Sequence, residues 1–218
     1  MSPDIEFVNN EQRTPVVLLL DVSGSVAGEP IAHLNDGLQV FEQELKNDPV
    51  ARNRVEVAIV TFGGTVQVVQ DFSSAATFTA PTRTADGNTP MGAAIHTGLD
   101  LVAQRKRLYK EHGIDYTRPW VFGITDGAPT DEYETAVERI HREDAARQIA
   151  FFAVGFGLVI VPTLQHIAPT DRPPMMLSGL KFKELFVWLS ASQRRVSAQK
   201  AGQQQALPPT TGWAVSPT

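Results

Sequence analysis

The sequence predicts an α/β fold of three layers, a doubly wound and mostly parallel sheet with one antiparallel edge strand. Three observations carry that reading. The run Pro15-Val-Val-Leu-Leu-Leu20 is continuously apolar instead of alternating, as a strand buried on both faces must be. After Pro30, the residues Ile31, Leu34, Leu38, Phe41 and Leu45 recur at spacings of 3, 4, 3 and 4, the stripe of a helix that lays one face on a core. Strand-like and helix-like segments then keep alternating, which implies right-handed crossovers between parallel strands.

The remaining elements follow in order. Val55 to Phe62 is rich in β-branched residues, and Gly63-Gly64 turns it into Thr65 to Val69, a hairpin that contributes the antiparallel strand. A loop of Thr, Pro, Asp and Gly runs from Ser73 to Thr89, and a helix opens at Pro90 with Met91, Ala94, Ile95, Leu99, Val102 and Leu108 as its inner face. Trp120 to Thr125 is the next strand. Asp131-Glu-Tyr-Glu134 has the form of a capping box with aspartate at the cap, opening a helix that turns Tyr133, Val137 and Ile140 inward. Ile149 to Phe156 is a further buried strand, Met175 to Leu177 a short edge strand, and Lys181 to Val196 a helix with Phe182, Leu185, Phe186 and Leu189 on one side. The domain is thus expected over residues 15–197. A polar lead-in over 1–14 precedes it, and a tail over 198–218, rich in Gln, Pro, Ser and Thr, is expected to be disordered.

Composition excludes several classes of function. At 218 residues and 42% apolar content the chain is long enough and apolar enough for one real core. With 19 basic against 24 acidic side chains, a net charge of −5, it lacks the footprint of a nucleic-acid or anionic-membrane binder. It has no cysteine, which removes disulfides, thiol nucleophiles and thiolate metal sites. No run approaches the roughly 20 apolar residues of a membrane helix. The acidic start Met1-Ser-Pro-Asp-Ile-Glu6 is unlike a signal peptide, so the expected location is the cytoplasm. The five histidines, His33, His96, His112, His141 and His166, are scattered without ligand spacing and read as surface or packing residues. Gly155-Phe-Gly157 lacks the third glycine of a dinucleotide loop and reads as a turn.

In a doubly wound sheet the ligand site lies beyond the carboxyl ends of the strands. Three polar clusters fall there: Asp21-Val-Ser23-Gly-Ser25, Asp86-Gly-Asn-Thr89-Pro, and Thr125-Asp126-Gly127. Asp21 and Asp126 supply carboxylates, and Ser23, Ser25 and Thr89 supply hydroxyls. All are hard oxygen donors suited to a small hard cation such as Mg²⁺. Gly24 relaxes the first loop so that its side chains can converge. Thr89 has a second candidate role as the N-cap of the helix that begins at Pro90, and Asp131 reads as a cap, not a ligand.

This order and spacing of Asp21-x-Ser23-x-Ser25, Thr89 and Asp126-Gly127 resembles the metal-ion-dependent adhesion site of von Willebrand factor type A (VWA) domains, over about Pro15 to Val196. More narrowly, residues 18–31, 125–131 and 183–192 resemble the bacterial TerY-like proteins of tellurite-resistance and stress operons. The resemblance implies that Ser23, Ser25 and Thr89 offer hydroxyl oxygens and that Asp21 and Asp126 offer charge, directly or through water. It further implies Mg²⁺, with Mn²⁺ or Ca²⁺ as alternatives, and a partner protein whose Glu or Asp completes the coordination. An operon-encoded phosphatase or kinase is the nominated partner. Two departures stand out: Val26 replaces the Met common in relatives, and Glu29 sets a carboxylate near the rim.

The expected function is therefore a Mg²⁺-dependent protein-binding adaptor, not an enzyme. Two alternatives were open at this level. One is a metal-dependent phosphotransferase using Asp21 as nucleophile, although Ser23 stands where a general acid is wanted. The other is a structural module whose metal only stiffens loops.

Overall fold

Strand β1 (Thr14–Asp21) is buried along its whole length and feeds two separate cores. Val16, Leu18 and Leu20 point into one, Val17 and Leu19 into the other, because alternate residues of a strand face opposite sides. The computed structural model describes residues 11–157, 161–198 and 207–215. The expected lead-in up to residue 10 and the tail at 199–206 and 216–218 lie outside the described residues.

Helix α1 (Glu29–Asn47) and a short α2 (Ala51–Arg54) lead to β2 (Val55–Gly63), which turns into β3 (Thr65–Ser74). Helix α3 (Met91–Glu111) precedes β4 (Trp120–Thr125); α4 (Glu134–Ala145) precedes β5 (Ala150–Gly155). Then come α5 (Val161–Ile167), β6 (Met175–Leu177), α6 (Phe182–Ser197) and β7 (Ala214–Val215). Among the described residues the strands form one sheet in the order β3-β2-β1-β4-β5-β6-β7. β2, β1, β4, β5 and β6 run parallel, whereas β3 and β7 are antiparallel at the two edges.

The layers follow from where each helix buries its stripe. α1 and α6 cover one face, with Leu34, Leu38, Phe41 and Leu45 against Phe182, Leu185, Phe186 and Leu189. Gly37 lets them close, since a Cβ there would stand 2.7 Å from the Phe186 ring. α3, α4 and α5 cover the other face through Met91, Ile95, Leu99, Val137, Ile140 and Leu164. Among the described residues no helix is long and apolar enough to cross a membrane.

Four sequence expectations change. Leu108 is only half-buried, and Arg105 and Tyr109 take the inner positions of α3 instead. They do so because β2 carries the buried Glu56, which accepts hydrogen bonds from Arg105 Nε at 2.7 Å and from the Tyr109 hydroxyl. α2 and α5, at 4 and 7 residues, are too short for periodicity to reveal. β6 is not an edge, because β7 pairs with its free side, Met176 with Val215 and Leu177 with Ala214. The expected disordered tail does not hold for residues 207–215. Trp213 is buried against Trp188 with ring centroids 5.2 Å apart, Trp188 Nε1 donates to Pro208 O at 2.8 Å, and Ser178 N donates to Trp213 O at 2.8 Å. A few apolar residues in a Pro- and Thr-rich stretch leave no periodic signal, yet Trp213 with Leu207 and Ala214 carries enough apolar surface to dock the segment.

Trp213→Ala should therefore lower stability by about 3 kcal/mol, the low end for a buried tryptophan replaced by alanine. A denaturant midpoint that did not move would show that residues 207–215 contribute nothing to the domain.

Candidate metal centre

The strand order reverses between β1 and β4, so the connections leave these neighbours in opposite directions and open a crevice beyond their carboxyl ends. Pairing of Leu20 with Ile124 brings Asp21 and Thr125 side by side at its floor. Asp21 is 1% exposed. Its Oδ1 accepts from the Ser23 N–H at 2.9 Å and its Oδ2 from the Thr125 hydroxyl. Beyond Ser23 the chain makes a 3-10 turn over Gly24–Val26, which folds Ser25 back towards the crevice. Ser23 Oγ lies 3.1 Å from Ser25 Oγ, and Ser25 Oγ donates to Asp126 Oδ1 at 2.7 Å.

Thr89 arrives from a third segment. A Cβ placed on Gly127 would sit 3.7 Å from Thr89 Oγ1, 3.9 Å from Ser25 Oγ and 4.0 Å from Asp21 Oδ2. Glycine thus keeps clear a point on which oxygens from three loops converge. The structure brings together all five predicted residues: Asp21, Ser23, Ser25, Thr89 and Asp126.

Three backbones must approach closely for this to happen. Gly24 N donates to Gly87 O at 2.9 Å, Asp86 N to Val22 O at 2.8 Å, and Gly64 N to Asn88 O at 2.8 Å. Gly87, at φ 76°, stands so near the hairpin turn that a Cβ on it would lie 2.4 Å from Gly64 Cα. No side chain fits there.

The capping expectation is corrected. Asp131 does not open α4; its Oδ1 accepts from Gly92 N at 3.0 Å and its Oδ2 from Ala93 N at 2.9 Å, so it caps α3 from across the crevice. Glu132 serves α4 instead, accepting from Thr135 N at 3.2 Å. Thr89 is relieved of capping and is held by its backbone: Thr89 N donates to Thr130 Oγ1, and Thr130 N to Thr89 O, both at 3.0 Å. Sequence reasoning assigned no role to Thr125, Gly127 or Thr130. Their signal is position alone, on either side of Asp126 in the loop that follows β4.

Electrostatics give the arrangement its meaning. Among the described residues no lysine, arginine or histidine pairs with Asp21 or Asp126, and no group of three or more His, Cys, Asp or Glu side chains is placed to hold a metal ion, here or elsewhere. Burial pushes the Asp21 carboxyl above the ordinary carboxylate value, and the negative Asp126 adds to that; hydrogen bonds from Ser23 and Thr125 oppose it. Two carboxylates and three hydroxyls, all oxygen, without a neutralising side chain, fit a hard divalent cation. Exposure is graded, with Asp21, Ser23 and Thr89 buried, Asp126 partly exposed and Ser25 exposed. The site is therefore closed below and open above.

The family model of the von Willebrand factor type A domain matches residues 16–185. The chain belongs to this family. Solved structures share the VWA fold at low identity. The pilus adhesin SpaC of Lactobacillus rhamnosus GG has a TM-score of 0.66 at 13% identity, covering 95% of this chain and 37% of that one. The ArnB paralog VWA2 of Sulfolobus acidocaldarius has 0.56 at 13%, covering 84% and 46%. Proximal thread matrix protein 1 of the mussel byssus, in a structure with a zinc-occupied MIDAS motif, has 0.54 at 14%, covering 84% and 48%. The chain spans less than half the length of each. No curated protein sequence matches it.

Asp21→Asn keeps the shape of the carboxylate and can still accept from Ser23 N, with the Thr125 hydroxyl reversing its role, while the buried charge disappears. Because the folded Asp21 pKa is raised, the metal-free wild type is penalised above that pKa and relieved as pH falls through it. Melting temperatures in chelator should accordingly be higher for Asp21→Asn near neutral pH and converge with wild type on acidification. A variant less stable than wild type at every pH would contradict this account of the charge.

Proposed function

We propose that this VWA domain is a metal-dependent protein-binding module in which Asp21, Ser23, Ser25, Thr89 and Asp126 hold one divalent cation. Mg²⁺ is the favoured ion because the donor set is all oxygen, and Mn²⁺ and Ca²⁺ satisfy the same chemistry. The mussel protein's zinc-occupied MIDAS motif supports metal binding at this place in the fold. When bound, the cation supplies a positive anchor for a carboxylate of a partner, offered from the open side where Ser25 and Asp126 meet solvent. The observation that carries the reading is the buried Asp21 carboxylate with no cationic side chain beside it, ringed by hydroxyls.

Each chain residue has a definite task in that arrangement. Asp21 and Asp126 balance the two positive charges, so the ion retains attraction for an outside anion only through its unfilled coordination position. Thr125 and the Ser23 N–H orient Asp21, Thr130 and Asp131 hold the Thr89 segment, and Gly127 keeps the centre open. Nothing here asks for a nucleophile or a general acid. Glu29, whose side chain is 77% exposed and 3.5 Å from His33, is the first residue of α1, just after the site, and tunes which acidic partners approach.

The proposal extends to setting. The similarity of residues 18–31, 125–131 and 183–192 to TerY-like proteins supports a role as a cytoplasmic adaptor in a tellurite-resistance or stress-response complex, with an operon-encoded phosphatase or kinase as partner. The binding domain spans 15–197 and takes in residues 207–215 through β7 and Trp213.

Calorimetric titration with Mg²⁺ and with Mn²⁺ tests the core of this. One ion per chain is expected, with affinity reduced at least tenfold, about 1.4 kcal/mol, in Asp21→Ala and Asp126→Ala. Wild-type affinity in both variants would refute it. Gly127→Ala, whose methyl would stand beside the converging oxygens at ordinary contact distance, should fold normally and weaken metal binding.

A further inference from the structure

At the opposite end of the sheet, by the amino ends of β4 and β5, lies an open cavity of about 720 Å³ whose walls include Arg118, His141, Asp144, Arg147, Asp171 and Arg172. Its charge is unevenly balanced. Asp144, 3% exposed, accepts from Arg118 Nη2 on Oδ1 and from Arg172 Nη1 on Oδ2, both at 2.8 Å. One carboxylate therefore serves two guanidinium groups. Arg147 forms no ion pair among the described residues, so three guanidiniums face two carboxylates; Arg147 and Asp171 both stand exposed at the rim.

Two of the arginines, Arg118 and Arg172, are held in place before any ligand arrives. Arg118 Nε also donates to Ile149 O and its Nη2 to Asp144 O at 2.8 Å. Arg172 Nη1 reaches Phe151 O at 3.1 Å, and its guanidinium lies 4.9 Å from the centre of the Phe152 ring. These contacts leave Arg118 Nη1 and Arg172 Nη2 without a protein acceptor among the described residues. Arg147 is the one described non-glycine residue with positive φ, 56°, at a helix end where glycine is the unstrained choice. Three carbonyls at the end of α4 are occupied: Ala146 N donates to Arg142 O, Arg147 N to Asp144 O and Gln148 N to Glu143 O. Burial, together with repulsion from Arg172 and Arg147, outweighs Asp144 and lowers the pKa of Arg118 below the ordinary arginine value. The cluster is short of negative charge.

We propose that this cavity binds a phosphate-type oxyanion, as free phosphate or as a phosphoryl group carried by a partner protein. Planar guanidinium forks match tetrahedral oxyanions in geometry as well as charge. Asp144 preorganises Arg118 and Arg172, and Arg147 closes the site from the rim. The site stands apart from the metal centre and does not depend on the adhesion reading.

The test is an NMR titration of the full chain with inorganic phosphate against chloride at equal ionic strength. Phosphate should shift amides of residues 141–148 and 170–172. Arg147→Glu, which leaves both Asp144 pairs intact, should weaken binding at least tenfold. Arg147→Lys should retain part of it, and Arg107→Glu, an exposed arginine elsewhere with the same charge change, should leave it unaltered. A phosphoserine peptide that binds more tightly than phosphate, and more tightly than its unphosphorylated form, would assign the ligand to a partner; equal or weaker binding would assign it to free phosphate. Identical shifts with chloride, or equal weakening by Arg147→Glu and Arg107→Glu, would overturn the proposal.

Discussion

A carboxylate with no cation beside it, buried at the end of the central strand, is the constraint to which the upper half of this molecule answers. Leaving Asp21 charged and dry is costly, and the hydrogen bonds that offset this come from Ser23 and Thr125, with no charged donor among them. Asp126 adds a second negative charge nearby, which makes the metal-free arrangement less favourable still. A fold stabilised for its own sake would set a lysine or arginine there. No such partner pairs with Asp21 among the described residues, and that is the ground on which a hard cation is proposed for this place.

Precision at that point comes from parts of the chain far apart in sequence. Strand pairing sets Asp21 beside Thr125, glycines at 63 and 87 let the hairpin turn and the long loop touch the loop after β1, and Asp131 fastens the start of α3 to the loop after β4. Thr89 is thus gripped through its backbone by Thr130, and its hydroxyl is spared for the crevice. The supporting contacts are backbone hydrogen bonds and one bidentate cap, all of which are short and directional, so the oxygens need little reorganisation to accept an ion.

The two ends of the sheet are chemically opposed for a reason built into the architecture. In a doubly wound domain the helices run against the strands, which gathers helix N-termini at the carboxyl ends of the sheet and helix C-termini at the other. Carboxylates such as Asp131 find support at the first end, where α3 begins. Arginines find it at the second, where α4 finishes and Arg118 takes the Asp144 carbonyl. One face is thereby prepared for a cation and the other retains positive charge, on a chain whose net charge is −5.

Sequence alone determined the class of fold and pointed to five candidate residues that the structure gathers in one crevice, because continuous burial of β1, the stripe of α1 and the order of the three polar clusters are local properties written in residue type and spacing. It could not separate the two roles of Thr89, nor say which helix Asp131 caps, because a capping oxygen is chosen by proximity in space. Short elements escaped for the same reason: β7 is 2 residues long and exists through Trp213 meeting Trp188, not through any periodicity. Tertiary structure also decided that Tyr109 and Arg105 replace Leu108 on the inner side of α3, since only packing against β2 reveals that Glu56 waits there. Local chemistry selected the candidate residues; the meeting of distant backbones decided where their oxygens point.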